Sequence, residues 1–125
     1  MTKSIVDRYY EFRGLKQPDE EEALLFFLSE VGELCENYLD ITYPDQKVRK
    51  VLKRMVALGS KADEVVSEKG GWLRNNDRIL KDTPICDEIG DCAMMLDRFS
   101  YNITPDHKTP HDCMINKMRK KGFTE

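Results

Sequence analysis

The chain has 125 residues, of which 40% are hydrophobic and 34% charged, and its formal net charge is −3. This length suits a single domain over residues 1–125, with room for one hydrophobic core but not for two. The weak negative charge argues against nonspecific binding to nucleic acid. There is no apolar run of about 18 residues that would predict a membrane span, and no charged-then-apolar leader that would predict export. We therefore expect a cytoplasmic protein that binds neither nucleic acid nor membranes.

The chain has four cysteines, and no two of them form a Cys-x-x-Cys pair. Cys35 and Cys92 fall among apolar residues at helical spacing, which is typical of small core side chains in a reducing cytosol. His107, His111 and Cys113 lie close in the sequence and could be imagined as zinc ligands. One thiol with two histidines in a proline-flanked segment is a weak signal for zinc, so no zinc site is expected there.

Helical signals follow one another along the chain, and no segment shows the strict alternation that is typical of a half-buried strand. The pattern predicts five helices, over 3–13, 19–40, 45–69, 85–102 and 111–121. Asp19 and Glu22 are predicted to form a capping box at the start of the second helix, and Gly59 is expected to loosen the third. Residues 72–84 are expected to form a loop or short turn. The chain is therefore predicted to be an all-α helical bundle.

Two acidic pairs stand in the most apolar of these helices. Glu30 and Glu33 lie in the second predicted helix, and Glu88 and Asp91 lie in the fourth. Residues three apart on a helix are neighbours on one face, so two such helices packed together would bring four carboxylates into one crevice. Carboxylate oxygens are ligands that Mg²⁺ prefers, commonly in company with phosphate oxygens. The alternative is that both pairs are solvent-facing charges, and the repetition of the pattern makes that alternative weaker.

Apolar stripes predict which side of each acidic helix is buried. They comprise Leu24, Phe27, Leu28, Val31, Leu34 and Cys35 on the second helix, and Ile85, Ile89, Cys92, Leu96 and Phe99 on the fourth. At about 100° per residue, the Glu30 pair falls on the other side of its helix, one turn after Phe26, and Glu88 borders the stripe of the fourth helix. Both pairs are thus expected to border apolar surface, where close carboxylates repel one another unless cations are present.

The chain resembles the MazG-like, all-α nucleoside triphosphate pyrophosphatases in two motifs, Leu28-Ser29-Glu30-Val31-Gly32-Glu33-Leu34 and Asp87-Glu88-Ile89-Gly90-Asp91. Its basic C-terminal segment, 116–123, is similar to the end of many MazG-type domains. The resemblance covers most of the chain in order. Two features depart from the family pattern. Many members carry a further Glu where this chain has Ser29, and the gap between the two motifs is long because an extra predicted helix, 45–69, fills it.

The resemblance implies hydrolysis of a nucleoside triphosphate, a (d)NTP, between the α and β phosphates, giving a monophosphate and pyrophosphate. It implies that Glu30, Glu33, Glu88 and Asp91 are the catalytic ligands of Mg²⁺, with Mn²⁺ as a substitute ion, and that one of them takes a proton from the attacking water. It also implies a homodimer or a dimer of dimers. The first and middle helices also carry more apolar surface than a single small core readily covers, and this favours association.

Four further residues are candidates for binding the substrate. Lys117 and Lys120 would reach the β and γ phosphates, because cations near a polyphosphate stabilise the leaving pyrophosphate. Lys117 alone matches the lysine of the family cleanly. Trp72 and Asn75 offer a stacking ring and an amide to the base. Plainer interpretations are a solvated helix end whose cations complement the helix dipole, and a tryptophan that anchors a loop.

Three alternative functions are related to parts of the same pattern. A catalytically silent regulatory or scaffolding module of the same fold is favoured by the missing acid at Ser29. A phosphoribosyl-ATP pyrophosphohydrolase shares both the chemistry and the acidic signature. A di-metal redox bundle is disfavoured, because such sites usually use Glu-x-x-His pairs, and neither histidine of this chain lies on an acidic helix.

Overall fold

The computed structural model of this chain describes residues 4–70 and 85–124. Over these ranges the chain forms five α-helices and no strand. They are α1 (Ile5–Arg13), α2 (Glu20–Ile41), α3 (Gln46–Gly70), α4 (Ile85–Ile103) and α5 (Pro110–Lys120). The predicted all-α class is confirmed, and each predicted helix agrees with an observed one to within two residues at either end. The loop predicted over 72–84 lies outside the described residues.

Capping boxes define where three of the described helices begin. Ser4, Asp19 and Thr109 each form a capping box with the acidic residue three positions later. These boxes satisfy backbone N–H groups that the first turn of a helix leaves without partners, and the box predicted at Asp19 is confirmed. α1 ends at Gly14, whose φ of 65° is the left-handed conformation that glycine adopts most easily.

The helix α2 is the centre of the bundle, because α3 and α4 both pack along it while α1 and α5 each contact α4. α3 runs antiparallel to α2, since Phe26 packs with Val66 whereas Gly32, further along α2, meets Gly59, which is earlier on α3. In the described part of the chain the backbones of α3 and α4 do not approach each other. α2 therefore separates its two long neighbours.

Two glycines allow α2 and α3 to cross closely. An added Cβ at Gly32 would lie 3.0 Å from the Cα of Gly59, and one at Gly59 would lie 2.9 Å from the Cα of Gly32. Any larger residue at either position would therefore force the two backbones apart. The weak point expected at Gly59 is instead the closest approach between these helices, and α3 continues through it without a break. The crossing holds the backbone of α2 in place at Gly32, which directly precedes Glu33.

The hydrophobic core lies where α1 closes one end of the bundle. Val6 and Tyr10 of α1 pack with Phe26, Val66 and Met95, which come from the three long helices. The hydroxyl of Tyr10 also contacts the sulfur of Met95 at 3.9 Å. Removing these side chains from water is the main favourable contribution to folding. The core therefore joins four of the five helices.

A buried ion pair also holds α1 on α4. The guanidinium of Arg98 pairs with the carboxylate of Asp7, and both side chains are largely buried. The Nε of Arg98 donates to the carbonyl of Pro18 at 3.4 Å, and Asp7 also accepts from the backbone N–H of Ser4. The same carboxylate therefore caps α1 and fixes it to α4.

The apolar stripe predicted to be the buried side of α2 is only partly buried. Phe27 packs against the core, and Val31, Leu34 and Cys35 are half-buried. Leu24 and Leu28 are 41% and 36% exposed, whereas Phe26 is buried. The stripe predicted on α4 is mixed as well, since Cys92 is buried but Ile89 and Leu96 are exposed, and Met95, which lies outside the stripe, is buried. Helical spacing shows which residues share a face but not which face meets a neighbour. α2 meets both neighbours through its small and acidic side.

Candidate metal centre

The first acidic pair lies on the inner side of α2. Glu30 is only 5% exposed and Glu33 is half-buried. The side chain of Phe26, one turn earlier, belongs to the core. Since residues four apart lie above one another on a helix, Glu30 continues the buried row that begins with Phe26. The sequence-based prediction that this pair borders apolar surface is confirmed.

The second acidic pair lies opposite the first, on α4. Glu88 is 8% exposed and Asp91 is half-buried. α4 runs antiparallel to α2, because Met95 packs beside Phe26 while Glu88, two turns earlier on α4, meets the Glu30 region further along α2. This alignment sets the two pairs at the same level of the bundle, just beyond the core.

The four carboxylates converge on one point. Glu30, Glu33, Glu88 and Asp91 each offer one oxygen atom, and these atoms all lie within 4.8 Å of one another. Each helix supplies one buried and one half-buried member. Carboxylates this close and this poorly hydrated repel one another strongly, and a cation between them removes the repulsion. The cluster could therefore hold a metal ion, as the spacing of the two motifs predicted.

A buried thiol adjoins the cluster. Cys92 follows Asp91 on α4 and faces the interior. Burial, and then the charges of Glu88, Asp91 and Glu33 in that order of importance, raise the pKa of the Cys92 thiol to about 11. The side chains whose donor atoms converge are the four carboxylates, so the donor set consists of oxygen atoms.

The candidate substrate residues lie elsewhere or outside the described ranges. Lys117 and Lys120 are exposed on α5, which joins α4 near Ser100, where Ser100 Oγ donates to the carbonyl of Lys108 at 2.8 Å. At 1.5 Å per residue, Ser100 lies about 18 Å along the axis of α4 from Glu88. The joint between α4 and α5 is thus at the far end of α4 from the carboxylates. Trp72 and Asn75 lie outside the described residues, so their roles, like those of the lysines, stay predictions.

His107 and Cys113 form part of the joint between α4 and α5. Nδ1 of His107 lies 2.9 Å from the carbonyl oxygen of Tyr101, and the two rings stack with their centroids 4.4 Å apart. His107 has a φ of 54°, a left-handed conformation that is uncommon for residues other than glycine. The sulfur of Cys113 lies 3.9 Å from Ser100 Oγ. These contacts tie the segment between α4 and α5 to the end of α4.

Comparison with models of protein families, with curated proteins and with solved structures found no match for this chain. The resemblance of its two acidic motifs to the MazG-like pyrophosphatases therefore stays a prediction. None of the helices in the described ranges combines the length and the apolar composition that crossing a membrane requires. The chemistry of the site rests on its own residues.

Proposed function

We propose that this protein is a Mg²⁺-dependent nucleoside triphosphate pyrophosphohydrolase of the MazG-like kind, which hydrolyses a (d)NTP between its α and β phosphates. The observation that carries the proposal is the convergence of four carboxylates within 4.8 Å. Donor sets made only of oxygen suit Mg²⁺ and Mn²⁺. Mg²⁺ keeps part of its coordination shell for water and phosphate oxygens, so a triphosphate substrate completes such a site.

The buried and the half-buried carboxylates of the cluster suit different roles. Glu30 and Glu88 are buried, so packing fixes their orientation, and they would hold the ion in place. Glu33 and Asp91 are half-buried, so they would face the substrate and its water. When bound, Mg²⁺ makes water a better nucleophile and stabilises negative charge on phosphate oxygens. One of the two more open carboxylates would accept the proton of the attacking water. The water oxygen would bond to the α phosphorus, and the bond between the α phosphorus and the bridging oxygen would break to release pyrophosphate.

The decisive experiment is a pyrophosphate-release assay with a panel of standard and damaged (d)NTPs and phosphoribosyl-ATP, in Mg²⁺ and in EDTA. Glu88→Gln should lower kcat/KM at least 100-fold, because it removes a charged ligand without changing the size of the side chain. The matched control is Glu36→Gln, which makes the same chemical change at an exposed position one turn beyond Glu33 on α2. Full activity of Glu88→Gln would show that the proposed site is wrong.

A melting experiment separates an enzyme from a silent module of the same fold. An ion that binds only the folded protein stabilises it, by about 2.7 kcal/mol at a concentration 100-fold above its dissociation constant. Glu88→Gln should raise the Tm of the metal-free protein, because it relieves repulsion in the cluster, and should abolish most of the Mg²⁺-dependent shift. A Mg²⁺-dependent shift without turnover of any substrate in the panel would favour the silent module.

A further inference from the structure

The end of the helix pair at the α2–α3 turn carries several exposed apolar side chains. They are Ile41, Tyr43, Val48 and Val51. Ile41 is the last residue of α2, and Val48 and Val51 lie in the first two turns of α3. Tyr43, in the turn itself, is 86% exposed. Single exposed apolar side chains are common on protein surfaces, whereas a group of them at one place marks a surface that binds something apolar.

Hydrogen bonds hold this turn in a defined conformation. The backbone N–H and the hydroxyl of Thr42 both donate to the carbonyl of Tyr38, at 3.0 and 2.8 Å. Where α3 begins, Oδ1 of Asp45 accepts from the backbone N–H groups of Lys47 and Val48, at 3.0 and 3.1 Å. Such a cap satisfies donors that the first turn of a helix leaves without partners. The turn therefore presents its apolar side chains in a fixed arrangement.

The same stretch is rich in cations. Between Asp40 and Asp63 the sequence has one acid, Asp45, whose carboxylate caps α3. None of the cations at the start of α3 pairs with a carboxylate of the described ranges, and the guanidinium of Arg49 lies 4.2 Å from the centroid of the Tyr43 ring. These cations are Lys47, Arg49, Lys50, Lys53 and Arg54. We call residues 41–54 the cationic tip.

Cations and apolar side chains lie side by side on α3. At about 100° per residue, Lys47, Lys50 and Arg54 share an arc of about 60°, and Val51 borders that arc. Gly59, which meets α2, lies on the other side of the helix. In the described part of the chain only α2 packs along α3. The cationic tip is therefore open to a partner that offers both negative charge and an apolar layer.

We propose that the cationic tip binds the surface of an anionic lipid bilayer. Apolar side chains beside cations match both layers of such a surface, because the apolar groups enter the boundary of the acyl chains while the cations meet lipid phosphates. Tyrosine is also enriched at the level of the headgroups. A nucleic acid would attract the cations alone, and it would leave Ile41 and Val51 in water.

Binding from one side needs no segment that spans the bilayer. The sequence-based expectation that this chain binds no membrane concerned such a span, which a peripheral surface does not require. The formal net charge of the whole chain is −3, so the part outside the cationic tip is negative and anionic lipid repels it. Ile41 lies about 12 Å beyond Glu33 along α2. A tip that binds end-on therefore leaves the carboxylate cluster outside the lipid.

Sedimentation with vesicles tests the proposal. The wild-type chain should pellet with vesicles that contain phosphatidylserine but not with vesicles of phosphatidylcholine alone, and added salt should release it. The triple variant Lys47→Gln, Lys50→Gln and Arg54→Gln should bind about 100-fold more weakly, because each cation near an anionic surface contributes about fivefold. Tyr43→Ser should weaken binding about tenfold. All four side chains are exposed, so circular dichroism should show unchanged helices.

Matched controls on and beside α1 remove the same groups elsewhere. The triple variant Arg8→Gln, Arg13→Gln and Lys16→Gln removes three exposed cations, and Phe12→Ser removes a ring that is 84% exposed. Both should bind vesicles like the wild type.

Four results would overturn the proposal: no pelleting with phosphatidylserine at low salt, equal pelleting with phosphatidylcholine alone, equal losses in the control variants, or release of the bound chain from vesicles by a single-stranded oligonucleotide. The last result would assign the cationic tip to nucleic acid. Because vesicle binding needs neither Mg²⁺ nor nucleotide, its failure leaves the proposed hydrolysis to its own test.

Discussion

Replacing Gly59 with alanine tests how tightly α2 and α3 cross. The new Cβ would lie 2.9 Å from the Cα of Gly32 and 3.1 Å from the carbonyl oxygen of Leu28. Carbon atoms attract one another best at about 3.5–4.0 Å. Both neighbours are backbone atoms that cannot rotate away, so α3 must move outward by about 0.6 Å or more at the crossing.

Two opposing effects set the size of the change. Overpacking of this kind typically costs about 1–3 kcal/mol, whereas alanine gains about 1 kcal/mol over glycine inside a helix. Gly59→Ala should therefore lower the free energy of unfolding by about 1 kcal/mol. Gly90→Ala on α4 is the matched control, because among the described residues no atom outside its own helix backbone lies within 4 Å of its Cβ position. It should raise the free energy of unfolding by about 1 kcal/mol.

Urea denaturation followed by circular dichroism measures both changes, and thermal melting should show a shift of about 3–5 °C per kcal/mol for a chain of this size. The two variants make the same chemical change and should move in opposite directions. If Gly59→Ala stabilises the protein as much as Gly90→Ala does, then α2 and α3 do not cross as closely at Gly59 as described. A double variant with Gly32→Ala should be less destabilised than the sum of the single variants, because one separation of the helices accommodates both methyl groups.

Three other predictions concern the ends of the bundle and its thiols. Burial and the charge of Asp7 raise the pKa of Asp97 above its usual 3.8, so folding favours its protonated form. This stabilisation is fully present below the pKa that Asp97 has in the unfolded chain. It is lost as the pH rises through the pKa that Asp97 has in the folded protein. Asp97→Asn should therefore stabilise the protein in thermal melts at pH 7 but not at pH 3, and equal gains at both would contradict this. Arg98→Met should cost about 3 kcal/mol, because it leaves Asp7 without its buried partner, and melts should show part of that loss restored by Asp7→Asn. Cys92, with a pKa raised to about 11, has about one thiolate in a thousand at pH 8, so iodoacetamide should label exposed Cys86 first, and equal labelling by mass spectrometry would contradict its burial.

Helix ends were predictable from the sequence because their signals are local. The capping box of Asp19 depends on residues three positions apart, and α5 begins at Pro110, one residue before the predicted start at 111, because the first turn of a helix tolerates proline. The side of α2 that meets its neighbours was not predictable in this way. It depends on the pairing of Gly32 with Gly59, which are distant in sequence, and close backbone approach there outweighs the larger side chains of Leu24 and Leu28.

The carboxylate cluster was predictable from the sequence, although its residues come from two helices that are distant in the chain. Two acidic pairs with the same spacing on two apolar helices can meet only if those helices pack side by side, and α2 and α4 do so. The thiol of Cys92 was predicted to be a core residue, but its place beside Glu88 depends on the rotation of α4 about its axis. The rotation of a helix about its axis is set by all of its contacts together, so one stripe of apolar residues cannot define it.

The contacts of α1 have a consequence for the order in which the bundle assembles. Tyr10 meets Met95 across 85 residues of chain, and Asp7 meets Arg98 across 91. Closing such long loops is entropically costly and slow, whereas α2 and α3 are joined by a short connection. A ribosome therefore releases α1 well before the part of α4 that binds it, so α1 can dock only after α4 has emerged. The backbone amides of α1 should exchange with solvent ahead of those in α2, because a short helix at one end of the bundle opens more readily than the central helix.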